Sequence, residues 1–148
     1  MSAERDIVLS ELEKHGAYAS TTSGVSMRPL FKTHRDVVIL EKPTAPPRKF
    51  DVVLYPSQSG KFVLHRIIGE RDSEYIIRGD NTYHREYVKK DDIVAVLTAF
   101  NRGGRHHTVD ERGYKIYVRV WNFIYPLRYV LFKLRSLLSK IKHRILGR

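Results

Sequence analysis

Between residues 36 and 100 the chain is a succession of short segments rich in Val, Ile, Tyr and Phe, each closed by Pro, Gly, Asn or Asp. The segments are "DVVILEK" (36–42), "FDVVLYP" (50–56), "GKFVLHRIIGE" (60–70), "EYIIRGD" (74–80) and "DIVAVLTAF" (92–100). They are too short and too β-branched for helices, and turn residues at this spacing leave strands joined by tight connections. The pattern predicts a small, mainly β body. "AYASTT" alternates ahead of it, "KPTAPPRKF" (42–50) reads as an exposed proline-rich connection, and "NRGGRHH" (101–107) as a hairpin tip before one more short strand, "HTVDE". Before the β pattern begins, residues 3–14 predict a short helix, with Ile7, Val8 and Leu12 on one face and Gly16 as its stop.

Charge divides the chain. From Arg112 to Arg148 there are ten Lys and Arg and no Asp or Glu, whereas residues 1–111 hold all 16 acidic residues against 17 basic ones. The net charge of +11 therefore belongs almost wholly to the tail. We expect a β-rich domain with a short N-terminal helix over 1–111 and a basic helical tail over 112–148. At 148 residues and 42% hydrophobic content the chain can bury one core of ordinary size. Cysteine is absent, which excludes disulfides, zinc-thiolate sites and a thiol nucleophile.

The tail predicts amphipathic helix. Pro126 splits it or opens a second helix within its first turn. Beyond it, Leu127, Val130, Leu131, Leu134, Leu137, Leu138, Ile141 and Ile145 recur at spacings of three and four, with cations between them. Tyr117, Trp121, Phe123, Ile124 and Tyr125 form an aromatic lead-in. Such a helix can pack on the β body, or it can lie in a membrane interface with Lys and Arg at anionic headgroups and Trp and Tyr at the boundary. The second is favoured, with Trp121, Tyr125, Arg128, Lys133, Arg135, Lys140 and Lys142 as the membrane contacts. The breadth of the apolar stripe and the lack of a DNA-binding motif disfavour nucleic acid. No uncharged apolar run approaches the ~18 residues of a transmembrane helix. The acidic N-terminal stretch, with Glu4, Asp6, Glu11 and Glu13, has no secretory-signal pattern, so a cytoplasmic, membrane-peripheral protein is expected.

One segment carries more than a turn requires. "TTSGVSMRPLF" places Ser26 two residues after Gly24 and three before Pro29. A serine hydroxyl is a weak nucleophile unless a base lies within reach and donors hold the developing oxyanion. In the turn formed by Gly24, Val25, Met27 and Pro29, the Ser26 N–H is the natural oxyanion donor. Alone, Ser26 reads equally well as a turn residue. His65 lies in a strand where alternation puts Val63, His65 and Ile67 on one face and Leu64, Arg66 and Ile68 on the other. It is a core histidine or a base held on a strand. Gly79-Asp80-Asn81 makes a turn directly after another strand, well placed to present a carboxylate.

Taken in order, Ser26-Met27-Arg28-Pro29, His65-Arg66-Ile67-Ile68 and Gly79-Asp80-Asn81 resemble three boxes of the signal peptidase I and LexA-like serine peptidases. "RDVVIL" and "KFDVVLYPS" resemble the intervening strands, and the likeness runs from about Tyr18 to Phe100. Histidine in place of a lysine base resembles the endoplasmic-reticulum and archaeal type. The resemblance implies a coiled antiparallel β-sheet, no cofactor, and a peptide or precursor-protein substrate with small residues before the cut. It implies Ser26 as nucleophile, His65 as base and Asp80 as the acid that orients the imidazole or holds the site's turn. Glu86 is the alternative acid, since relatives of this type carry one shortly after the Gly-Asp-Asn box, and Gly79 and Asn81 shape the turn. A neutral imidazole is already a competent base at pH 7.

The sequence departs from that pattern in three ways. Gly24 stands where some relatives place a hydroxyl for the oxyanion, Arg28 where a small or apolar residue is frequent, and no N-terminal anchor is expected, so the basic tail is a candidate replacement. His84, His106 and His107 lack metal-ligand spacing, and no metal is expected. Two rivals stand beside the peptidase: a LexA-like autoproteolytic regulator, for which residues 1–16 are too short to bind DNA, and a non-catalytic membrane adaptor on the same scaffold.

Overall fold

The computed structural model describes residues 3–146, with side chains from 4 to 141. Two compact units divide it, residues 1–111 and 112–148. The first opens with helix α1 (Ala3–His15) and continues through eight strands: β1 (Ala17–Thr21), β2 (Val37–Glu41), β3 (Val52–Pro56), β4 (Phe62–Arg71), β5 (Glu74–Arg78), β6 (Glu86–Lys89), β7 (Ala95–Arg102) and β8 (Arg105–Thr108). All pairings are antiparallel, in the order β1-β2-β7-β3-β4-β5-β6, with β8 also on β7. The expected mainly β architecture, with a short N-terminal helix and C-terminal helices, is the one observed.

Sheet register decides which side chains meet. Cross-strand partners point to the same face, so the pairs Val53–His65, Tyr55–Val63, Ile67–Ile77 and Ile77–Glu86 form one continuous layer. Its apolar part is the cluster of Val53, Tyr55, Ile67, Tyr75, Ile77 and Val88, with Val63, Ile93 and Val96 against it. His65 and Glu86 are the polar members of the same layer. The opposite face of β4 carries Arg66, which is fully buried. Alternation from the sequence placed these faces correctly.

Three local expectations need correction. Ile7 does not share the buried face of α1: it is 57% exposed while Val8 and Leu12 are buried. At ~100° per residue Ile7 lies roughly 140° from Leu12, whereas Val8 and Leu12 are an i, i+4 pair. The last strand starts at Arg105, directly after the Gly103-Gly104 tip where both glycines have positive φ, and ends at Thr108. The polar stretch "EYVK" forms β6, a strand the sequence reading passed over.

The second unit consists of α2 (Arg112–Phe123) and α3 (Tyr125–Leu146). Pro126 sits in the first turn of α3, where its missing N–H costs no helix bond. Among the described residues no helix is long and apolar enough to cross a membrane.

Candidate active site

The segment between β1 and β2 is a closed loop. At its base the Thr22 N–H donates to the Asp36 carbonyl (3.4 Å) and the His34 N–H to the Thr22 carbonyl (3.0 Å). Asp36 is fully buried, and its carboxylate accepts from Arg35 Nε (2.6 Å), the Lys32 N–H (2.8 Å) and the Gly103 N–H (3.3 Å). Burial alone would push this carboxyl up, but those donors hold it below the ordinary carboxylate range. Inside the loop, Met27, Leu30 and Phe31 are buried and pin the chain down. Phe31 meets Phe100 edge-on at 5.3 Å between ring centroids. Gly24, at φ +80°, makes the bend before the serine, and Thr33 Oγ1 donates to its carbonyl. Val25 is exposed, and Pro29 follows a cis peptide bond.

Ser26 is joined to the Gly79-Asp80-Asn81 turn by backbone. The Asn81 N–H donates to the Ser26 carbonyl at 2.7 Å, and Asn81 Nδ2 to the Val25 carbonyl at 3.2 Å. Gly79 shows how close the elements lie. A Cβ added there would stand 2.7 Å from the Ser26 carbonyl oxygen, 3.0 Å from His65 Nε2 and 3.1 Å from His65 Cδ2. Nothing larger than a hydrogen fits, so the Ser26 loop and the Nε2 edge of the imidazole converge on one glycine. Ser26 and His65 also line one cavity of about 410 Å³, whose other walls include Val8, Met27, Leu40, Leu54 and Phe62. Among the described residues neither the Ser26 hydroxyl nor His65 Nε2 has a hydrogen-bond partner, and the Ser26 N–H has no acceptor.

The other edge of the imidazole is firmly held. His65 Nδ1 lies 3.0 Å from Glu86 Oε1 and 3.1 Å from the Tyr55 hydroxyl, which donates to Glu86 Oε2 at 2.9 Å. With the Tyr55 proton committed to Glu86, Nδ1 carries the imidazole proton and donates to the carboxylate. Nε2, facing Ser26, is left as the acceptor. Burial lowers the His65 pKa below the ordinary histidine value against the opposing pull of Glu86, so the ring is neutral at pH 7. Tyr55 is pushed far up, by burial first and by Glu86 second, and stays a phenol.

Asp80 is placed differently from the first-choice role given it by resemblance. Its two carboxylate oxygens accept from Arg66 Nε and Nη2, both at 2.8 Å, and Arg66 also donates to the Phe50 carbonyl at 2.8 Å. Since Arg66 and His65 project from opposite faces of β4, this bidentate pair secures the turn while Glu86 takes the imidazole. Of the two acids left open by the sequence, Glu86 is the one on Nδ1. Tyr55 was missed. Alternation along β3 puts it beside Val53 on the His65 face, but a buried tyrosine in a strand gives no sign of what its hydroxyl meets.

In the second unit, the Arg128 guanidinium lies 3.6 Å from the centre of the Trp121 ring. Tyr125 opens α3, and Lys133, Arg135 and Lys140 are exposed along it. The side chains of Lys142 and Ile145 lie outside the described residues. No group of three His, Asp or Glu able to hold a metal occurs among the described residues.

Compared with known proteins, the chain matches no family model and no curated sequence.

Proposed function

We propose that the β unit is a serine endopeptidase in which Ser26 attacks the scissile carbonyl, His65 is the general base and acid, and Glu86 orients and stabilises the imidazolium. The observation that carries this reading is the two-sided environment of His65. Its Nδ1 edge is tied to Glu86 and Tyr55, and its Nε2 edge is unpartnered against Gly79 and the Ser26 loop at a cavity wall.

In the first step Nε2 takes the Ser26 proton as Oγ bonds to the carbonyl carbon. The Ser26 N–H donates to the oxyanion. The proton then passes from Nε2 to the departing amine, leaving an acyl-Ser26 that water, deprotonated by the same nitrogen, hydrolyses. The Ser26–His65 hydrogen bond forms when substrate arrives, a tightening common in such sites. The cavity wall is mixed, with Val8, Leu40, Leu54 and Phe62 beside Ser20, Thr22, Ser57 and Ser59, which suits a small substrate side chain. The substrate class is a peptide or precursor protein. A cytoplasmic, membrane-peripheral place of work belongs to the same proposal and rests on the tail rather than on the site.

The missing Ser26–His65 hydrogen bond favours the rival reading of a non-catalytic scaffold. Labelling the purified chain with a serine-reactive acylating or phosphonylating probe, read by intact mass, separates the two. The wild type should gain one adduct, and Ser26→Ala and His65→Ala should gain none while remaining folded by circular dichroism. An unlabelled but well-folded wild type would sink the peptidase.

A further inference from the structure

The outer surface of α3 points to a partner of a different kind. We infer that α3 binds lengthwise on an anionic bilayer, with one apolar row in the acyl boundary and a line of cations along each margin. This inference is independent of the chemistry at Ser26. Leu127, Val130, Leu131, Leu134, Leu138 and Ile141 are each between 44% and 64% exposed. At ~100° per residue they fall within a sector roughly 100° wide. On the same projection Arg128 and Arg135 border one side of the sector, and Lys133 and Lys140 the other. Their stems can lie along the apolar row while the charged heads reach the headgroups.

Charge chooses the occupant. A second copy of α3 would bring the same cations to both margins with no acid anywhere in 112–148 to answer them. A nucleic acid would satisfy the cations and leave the leucine row in water. An anionic bilayer satisfies both. Among the described residues no helix is long and apolar enough to cross, so the proposed contact runs along the surface with the 22-residue helix instead of spanning. Trp121, on α2 and stacked by Arg128, supplies an aromatic ring of the kind enriched at membrane interfaces. Tyr129 and Phe132 project to the side opposite the row and are outside the proposed contact, which makes the geometry one-sided.

The full chain should be sedimented with vesicles of phosphatidylcholine alone and of phosphatidylcholine mixed with phosphatidylglycerol. Binding should be much tighter to the mixed vesicles. Each cation near such a surface is worth about fivefold, so the triple variant Lys133→Gln, Arg135→Gln, Lys140→Gln should bind them roughly a hundredfold more weakly. Leu134→Glu should bind both vesicle types more weakly than wild type, and Phe132→Gln should bind as wild type does. Circular dichroism and thermal unfolding report whether each variant is folded. Failure of the wild type to sediment, or sedimentation indifferent to lipid charge, overturns the inference. So does a Phe132→Gln loss equal to that of Leu134→Glu. Two rival occupants have their own readouts: a lipid-free oligomer that Leu134→Glu dissociates, or salt-sensitive capture of duplex DNA by a chain that ignores vesicles. Either one also overturns it.

Discussion

Gly79→Ala tests the convergence of loop, turn and imidazole most directly. The added methyl carbon would lie 2.7 Å from the Ser26 carbonyl oxygen and 3.0 Å from His65 Nε2, both inside normal contact. The carbonyl is backbone and already accepts from the Asn81 N–H at 2.7 Å, so it cannot step aside without disturbing that bond. Overpacking a tight site costs about 1–3 kcal/mol. Weakening one hydrogen bond adds about 1 kcal/mol. A combined loss of about 2–4 kcal/mol in a domain of this size lowers the melting temperature by roughly 10 °C. Moving the serine against its base by even ~1 Å should also cut probe acylation about a hundredfold. Gly69→Ala is the control, since its added carbon would meet only the Ile76 side chain, Cδ1 at 3.5 Å and Cβ at 3.9 Å, both ordinary contacts. The assay is thermal unfolding beside the rate of adduct formation for both variants. If Gly79→Ala melts with the wild type and labels at the wild-type rate, the close approach does not exist and the site assembled here falls with it.

Glu86→Gln should slow Ser26 acylation by about 10²–10⁴-fold, the range expected when the group that fixes a histidine tautomer is neutralised, with little change in melting temperature; a rate within a few fold of wild type would remove Glu86 from the mechanism. Asp80→Asn should do the reverse, costing about 3 kcal/mol of stability by breaking the buried pair with Arg66, and a denaturant titration showing an unchanged midpoint would contradict this. For wild type, the acylation rate should rise with pH through the His65 pKa, with a midpoint below about 6.5, because burial favours the neutral ring. Glu86→Gln removes the pull toward the charged form, so its midpoint should move further down; a wild-type midpoint above the ordinary histidine value would refute the burial argument. The same shift affects folding. With the folded pKa below the unfolded one, the His65 contribution is complete above about pH 6.5 and is lost as pH falls toward the folded value. His65→Gln should therefore flatten the stability curve in that window.

The legible parts of the sequence were those set by local pattern. β2, β3, β4, β5 and β7 were readable because Val, Ile, Tyr and Phe crowd segments too short for helix, and the face shared by Val63, His65 and Ile67 followed from alternation alone. The edge strand β6 was not readable. Only Val88 of its four residues is buried, and "HREYVKK" is as polar as a loop. Glu86 sits on that strand, so its meeting with His65 depends on β5 pairing Ile77 with Glu86, a long-range register that composition does not encode. The choice between Asp80 and Glu86 failed for the same reason. Both follow a turn at suitable spacing, and only the sheet reveals that Arg66, one residue after the histidine, claims Asp80 on the opposite face. The Ile7 error was smaller and avoidable, since the helical angle between Ile7 and Leu12 could have been worked out from the spacing.

β4 carries two pairs of opposite function on adjacent residues, and their surroundings separate them. The Arg66–Asp80 pair is shut away, with side chains 0% and 3% exposed, and both groups are bound bidentately. Removing water from both charges leaves a pair whose value is positional: it fixes the turn that the Ser26 carbonyl leans on. The His65–Glu86 pair is more open, at 8% and 30%, and Glu86 also faces His84 Nε2 at 3.8 Å. Burial keeps His65 neutral against the opposing pull of Glu86. Nδ1 is bound to Glu86 and Tyr55, whereas Nε2 has no hydrogen-bond partner among the described residues and His65 lies at a cavity wall, an arrangement that a side chain serving only to fill the core does not need. Replacing His65 with Leu should therefore abolish acylation in a chain that still folds, at some cost in melting temperature because Glu86 and Tyr55 lose the Nδ1 partner. A His65→Leu chain that unfolds would mean that the imidazole serves the fold, and the case for catalysis would lose its physical basis.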